Sequence, residues 1–174
     1  MVVCHNDCTA ATPPTTDDVV DAVLDASRVL VAVAARSLTE QDVDISMQQY
    51  RALAVLAIRG PLRPVDLAAA LGVDPSTATR LCDRLVPKRL ISRRRQVHDR
   101  REVRLDLTPS GRQLVDRVSE QRRRHVNDIC RAVPAAERAT VARAFALFAS
   151  AAESAVGPGD VADDTLGHTE PRTH

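Results

Sequence analysis

Residues Leu67–Leu107, LAAALGVDPSTATRLCDRLVPKRLISRRRQVHDRREVRLDL, constrain the fold more than any other part of the chain. Leu67, Ala68 and Leu71 recur at helical spacing, and Gly72 stands where a left-handed residue would close the helix. Asp74 or its neighbour occupies the N-cap position and Pro75 the first helical one, which predicts a second helix with Ala78, Leu81, Cys82 and Leu85 on its inner face. From Ile91 the period changes to two. Ile91, Arg93 and Arg95 lead into a polar loop, after which Val103, Leu105 and Leu107 alternate with Arg104 and Asp106. That is the pattern of a hairpin with one face on a core. Helix, turn, helix and hairpin follow one another with no residue to spare.

The rest of the chain is read as helical. Only Tyr50, Phe145 and Phe148 are aromatic and Trp is absent, so Ala, Val and Leu must fill the core of this 174-residue chain. Such a set suits close-packed helices better than a sandwich of sheets. Thr16, followed by Asp17 and Asp18, is expected to cap a first helix running to about Leu38. Ser46 caps a second, lined by Tyr50, Leu53, Ala54 and Ala57 and stopped at Gly60-Pro61. Thr108-Pro109 starts a fifth helix to about Ala132, and Pro134 opens a sixth with Val141, Phe145, Phe148 and Ala152 on one stripe. The expected fold class is mainly α with a small β-hairpin wing. Residues 1–16 and 157–174 are expected to be loose tails around a single domain, 17–156. Within it the first and last helices are too far along the chain for a small lobe at 46–108 to cover. Residues 17–45 and 109–156 are therefore expected to dimerise with a second copy of the chain.

Charge gives the first indication of a partner. Between Arg80 and Arg104 stand ten Lys/Arg against three acids, an excess of seven positive charges in a chain whose formal total is +1. The first 46 residues and the last 18 are acidic, so a near-neutral sum hides a basic middle. On the second helix of the pair, Ser76, Thr77, Thr79, Arg80, Asp83 and Arg84 face outward. Small hydroxyls near a helix N-terminus let it enter a major groove without propping it away, and Arg80 and Arg84 can reach guanine edges or phosphates. The loop QVHDRR carries Arg100 and Arg101 to a hairpin tip, where a neighbouring minor groove would accept them, and His98 lies close enough to touch phosphate. Double-stranded DNA is thus the expected partner. A winged-helix lobe that meets an acidic protein is the alternative. An enzyme is not expected: there is no glycine-rich phosphate loop, nucleophile elbow, HExxH or carboxylate pair in an apolar setting, and no cofactor is implied. No apolar run is long enough to span a membrane and no secretory signal pattern is visible, so a cytoplasmic protein is expected.

The segments LAAALGVDPSTATRLCDRL and LISRRRQVHDRREVRLDLTPSG resemble the MarR family of winged helix-turn-helix transcription regulators, and DRREVRLDLTPSG is close to that family's most recognisable signature. The order of six helices with a hairpin between the fourth and fifth also matches, over about Asp17 to Val156. The resemblance implies an obligate homodimer in which the first, fifth and sixth helices interlock and each winged lobe reads half of a pseudo-palindrome, most commonly as a repressor. Residues 75–87 would be the recognition helix. Residues 93–104 would be the wing, with Arg93, Arg95, His98, Asp99, Arg100 and Arg101 at the DNA and Asp99 orienting it through a charge pair. The chain departs from the family at Arg89, where Gly is usual. A left-handed backbone there costs Arg about 1 kcal/mol that Gly avoids. Pro87 is expected to shorten the recognition helix.

Two switches are open. The resemblance implies a crevice for a small aromatic or lipophilic effector, with Met47, Tyr50 and Arg51 as local candidates, although Tyr50 also reads as an ordinary core residue. In CHNDC, Cys4 and Cys8 bracket His5 and Asp7, compatible with an oxidant-sensing pair, with zinc lacking a fourth ligand, or with an incidental tail. Cys82 is expected in the core.

Overall fold

The computed structural model describes residues 14–95 and 103–156. The chain divides between Ala32 and Val33 into two units. The described part of the first is the N-terminal stretch of helix α1 (Thr16–Thr39), on which Val19, Val20, Leu24, Val29 and Val31 are all about half exposed or more. Its first turn is held by Thr15, one residue before the expected cap. The Thr15 hydroxyl accepts from the Asp18 N–H (3.2 Å), while the Asp18 carboxylate accepts from both the N–H (2.8 Å) and the hydroxyl (2.7 Å) of Thr15. These bonds to Thr15 hold the Asp18 carboxyl below its usual range.

The second unit begins with the last turns of α1 and holds every other element. Helix α2 (Met47–Arg59) opens on a reciprocal capping box: the Ser46 hydroxyl accepts from the Gln49 N–H, and the Gln49 side chain accepts from the Ser46 N–H. It stops at Gly60, where φ is +77°. Helix α3 (Pro64–Leu71) ends on Gly72, whose left-handed backbone (φ +64°) turns the chain into α4 (Pro75–Leu85). Asp74 sits at the N-cap of α4 but makes no side-chain cap bond. Strand β1 (Ile91–Arg95) pairs antiparallel with β2 (Val103–Leu107) in the register Ile91↔Leu107, Arg93↔Leu105, Arg95↔Val103. Leu62, between α2 and α3, forms a bridge to the other edge of β2 through two backbone bonds of 3.1 and 2.7 Å with Leu105. Helix α5 (Pro109–Ala132) is capped by Thr108, and a 3-10 turn at Ala135–Glu137 precedes α6 (Arg138–Val156).

The core of this unit is aliphatic, as the composition required. Leu53, Leu56, Leu67, Leu85, Ile91, Leu105 and Leu114 are fully buried, each contributing about 1.5–3 kcal/mol of transfer free energy. The inner face of α4 is the expected one: Ala78, Leu81, Cys82 and Leu85 are all buried. Helix α4 ends at Leu85 rather than at residue 87, since Pro87 has no N–H with which to continue it. Beyond it Arg89 takes up φ +56°, the only positive φ of a non-glycine among the described residues. The signature residues of the hairpin base then close a joint. Thr108 donates its hydroxyl to the Arg89 carbonyl (2.5 Å) and its N–H to the Leu90 carbonyl (3.1 Å), and its oxygen accepts from the Gly111 N–H (3.0 Å). A Cβ on Gly111 would lie 2.0 Å from the Leu90 carbonyl oxygen.

Two substitutions at this joint should move stability in opposite directions. Gly111→Ala forces α5 away from Leu90 and should cost about 1–3 kcal/mol, as overpacking does. Arg89→Gly relieves the left-handed strain and should gain about 1 kcal/mol. Urea midpoints at unchanged slope measure both.

Candidate nucleic-acid interface

With one face of α4 buried, the other is defined. Ser76, Thr79, Arg80, Asp83 and Arg84 are exposed and Thr77 is half-buried. Thr79 donates its hydroxyl to the Pro75 carbonyl (2.8 Å), so its proton is occupied within the helix and its oxygen can still accept. Ser76 and Thr77 keep their hydroxyls available in the first turn, where the positive end of the helix dipole favours an anion, although the Thr77 N–H is already bonded to the Asp74 carbonyl (2.9 Å). Arg80 and Arg84, one turn apart, have no ion-pair partner among the described residues. A row of small hydroxyls followed by two unneutralised guanidinium groups on a helix half-sunk in an aliphatic core is chemically suited to phosphates and base edges.

The hairpin adds cations, but several are already engaged. Arg93 reaches across from β1 to the Asp83 carboxylate on α4 (2.6 Å). Arg94, on the opposite face of the strand, is 3.9 Å from Asp106 of β2. Lys88 bonds the Asp44 backbone carbonyl and stands 3.5 Å from its carboxylate. At the start of α3 Arg63 holds Asp66 with two bonds of 2.7 and 2.8 Å, and this guanidinium keeps the carboxyl below its usual range. The Asp83–Arg93 pair joins residues ten apart on unlike elements, so no periodicity in the sequence could announce it. The backbone of Arg95 ends β1, but its side chain lies outside the description. His98, Asp99, Arg100 and Arg101 lie outside the described residues, as do Cys4 and Cys8.

The effector candidates fall on α2. Tyr50 is buried, at 2% exposure, and Met47 and Arg51 are half-buried, with Met47 packed against the core. Burial pushes the Tyr50 phenol above its usual range, opposed by the neighbouring Ser119 hydroxyl and the Arg122 charge. Ser119 stands close enough to act on the phenol without completing a hydrogen bond, and the Tyr50 oxygen is left without a partner. Cys82, under the interface, is buried, and that burial pushes its thiol up to about 11. Cys130, by contrast, is exposed. Among the described residues no group of three or more His, Cys, Asp or Glu is placed to hold a metal ion, and no helix is long and apolar enough to cross a membrane.

Comparison with known proteins is consistent with this arrangement. The MarR family model matches residues 45–103, from the residue before the cap of α2 to the first residue of β2. RV1404 from Mycobacterium tuberculosis has a solved structure 39% identical to this chain, with a TM-score of 0.75, covering 82% of this chain and 97% of that one. The chain belongs to the MarR family. The multiple antibiotic resistance protein MarR of Salmonella typhimurium is 33% identical over 79 residues, 45% of this chain and 55% of that protein. The chain spans little more than half the length of the curated relatives it matches. Among solved folds, Streptococcus pneumoniae FabT in complex with DNA aligns at 20% identity with a TM-score of 0.66, over 81% of this chain and 99% of that one. The helices and hairpin described above are the winged helix-turn-helix fold of this family.

The Cys82 thiol yields a sign-definite prediction. Its folded-state pKa, raised from 9.0 to about 11, favours the neutral form in the native protein. The associated stability is complete below pH 9 and is lost as pH rises toward 11. Melting temperatures of the native protein should therefore fall more steeply over that interval than those of Cys82→Ala. Parallel curves would show that Cys82 ionises as freely in the folded state as in the unfolded one.

Proposed function

We propose that this chain is a sequence-specific double-stranded DNA-binding transcriptional regulator, a homodimeric repressor that covers a pseudo-palindromic operator. The observation that carries the reading is the outer face of α4. Its hydroxyls and the two unneutralised guanidinium groups of Arg80 and Arg84 are held outward by the burial of Ala78, Leu81, Cys82 and Leu85. In this reading α4 enters the major groove, with Ser76, Thr77 and Thr79 on the backbone and Arg80 and Arg84 on base edges or phosphates. The hairpin, with Arg93, Arg95, His98, Asp99, Arg100 and Arg101, lies along the adjacent minor groove. The fold shared with FabT, which has been solved on DNA, supports the docking mode. Residues 46–108 form the reading lobe, in a cytoplasmic protein.

Dimerisation belongs to the same proposal. No described residue of α6 is buried; Phe145, Leu147 and Phe148 are 50%, 66% and 51% exposed, and Ile129 of α5 is 43% exposed. On α1, Val19, Val20 and Leu24 stand similarly open. Large apolar side chains left exposed in this number mark association faces, and each one covered contributes about 1.5–3 kcal/mol. A second copy supplies that cover with 17–45 and 109–156, and spaces two reading lobes for two half-sites. A small aromatic or lipophilic effector that releases DNA completes the proposal, with Met47, Tyr50 and Arg51 nearest to its seat.

Sedimentation equilibrium at micromolar concentration should return a dimer, and the double variant Phe145→Glu/Phe148→Glu should return mostly monomer; a native monomer would refute the two-lobed clamp. On duplex sites selected from random sequence, Arg80→Ala should weaken binding by about 5- to 150-fold and relax the preference at one base pair per half-site. Equal affinity of the native protein for selected and scrambled duplexes would refute sequence-specific binding altogether.

A further inference from the structure

We propose that Asp83 is a specificity-determining residue: by holding Arg93, it withholds one cation from indiscriminate phosphate binding. The inference rests on the DNA-binding reading above. Asp83 is an acid on the face of α4 offered to a polyanion, three residues after Arg80 and adjacent to Arg84. An acid there opposes the approach of any phosphate, whatever the sequence. Its side chain is 55% exposed, and its partner Arg93, 2.6 Å away on β1, is 41% exposed. A pair this open adds little to folding stability, so stability alone gives no account of an acid at this position.

The geometry supplies the account. Arg93 starts from the hairpin and Asp83 from the recognition helix, so the bond links strand to helix and gives the guanidinium a carboxylate partner before any phosphate arrives, with both side chains still open to solvent. Arg80 and Arg84 have no such restraint among the described residues. The cations of the basic segment are thereby divided. Some are free to test whatever nucleic acid arrives, while Arg93 is engaged before it arrives. A loosely docked complex on arbitrary sequence depends on how many cations reach the backbone. In that complex Arg93 is unavailable and Asp83 repels. In a complex in the right groove the base contacts fix α4, so a released Arg93 has less freedom to reach an added phosphate, and withholding it costs that complex less than it costs the loose one. Removing the acid should therefore favour the wrong sequences more than the right one, the usual result of deleting a repulsive element.

The test compares the native full chain with Asp83→Asn, Arg93→Gln and the double variant, on a selected duplex and a scrambled one across a salt series. Asp83→Asn should bind scrambled DNA more tightly, lower the selected-to-scrambled ratio several-fold and steepen the salt dependence by about 0.9, the increment of one added phosphate contact. In the double variant the slope should return to the native value, because the released cation is gone. An unchanged ratio with Asp83→Asn overturns the proposal, as does a parallel loss of both affinities at constant slope, which would make the pair structural only. A double variant that keeps the steeper slope also overturns it, since the gain then does not come through Arg93. A native protein that fails to distinguish the two duplexes defeats the DNA-binding reading itself, a failure recognised before any Asp83 variant is made.

Discussion

The joint at Thr108 is the constraint on which the working part of the molecule depends. Three elements meet there: the exit from α4 through Arg89 and Leu90, the hairpin base at Ile91↔Leu107, and the first turn of α5. Thr108 ties the Arg89 and Leu90 carbonyls to the helix cap, and Gly111 lets α5 come so close to Leu90 that a single methyl would not fit. Helix α4, the hairpin and α5 are thereby placed with respect to one another by two short residues. The strained backbone of Arg89 is what such a joint demands when glycine is not used, because the chain must reverse within two residues of Pro87.

Most of this arrangement was legible in the sequence, for physical reasons that also mark where legibility stops. Helix α4 could be placed because Gly72 and Pro75 punctuate it and because burial enforces the 3.6-residue period through Ala78, Leu81, Cys82 and Leu85. The hairpin could be placed because Ile91, Leu105 and Leu107 share one face. The first cap fell on Thr15 instead of Thr16, since either hydroxyl can serve and only the reach of the Asp18 carboxylate chooses between them. The 3-10 turn before α6 was not foreseen either; Pro134 signals a start, not which helix type begins. What sequence could not give was the pairing of charges. Arg93 reads as one more basic residue until Asp83 is found beside it, and Arg94 and Lys88 likewise until Asp106 and Asp44 are.

That pairing changes what the basic segment means. An excess of seven positive charges in sequence is a statement about long-range attraction, which salt screens within about 10 Å at 0.1 M. At contact distance the relevant quantity is which guanidinium groups are free. Among the described residues Arg80 and Arg84 are, and they sit on a helix whose orientation is fixed by the burial of its opposite face. Selective recognition needs that combination: a cation on a flexible loop finds phosphates anywhere, whereas one on a buried-faced helix finds a base edge only when the groove fits.

A second anchor lies farther along α5. The Ser37 hydroxyl donates to the Val33 carbonyl (2.7 Å), so its oxygen is left to accept from Nδ1–H of His125 (3.2 Å). That tautomer leaves Nε2 as the acceptor, facing the Gln121 amide at 3.3 Å, and the same amide donates to Glu40 at 2.6 Å. Arg36 bonds the other Glu40 oxygen and is the chief reason this carboxyl is held below its usual range. Helix α5 is thus fastened at Thr108–Gly111 to the hairpin base and at His125 to the last turns of α1. At 1.5 Å per residue, the fourteen residues from Gly111 to His125 span about 21 Å. The hairpin base and the Ser37–Glu40 segment are thus held at two points along one continuous helix.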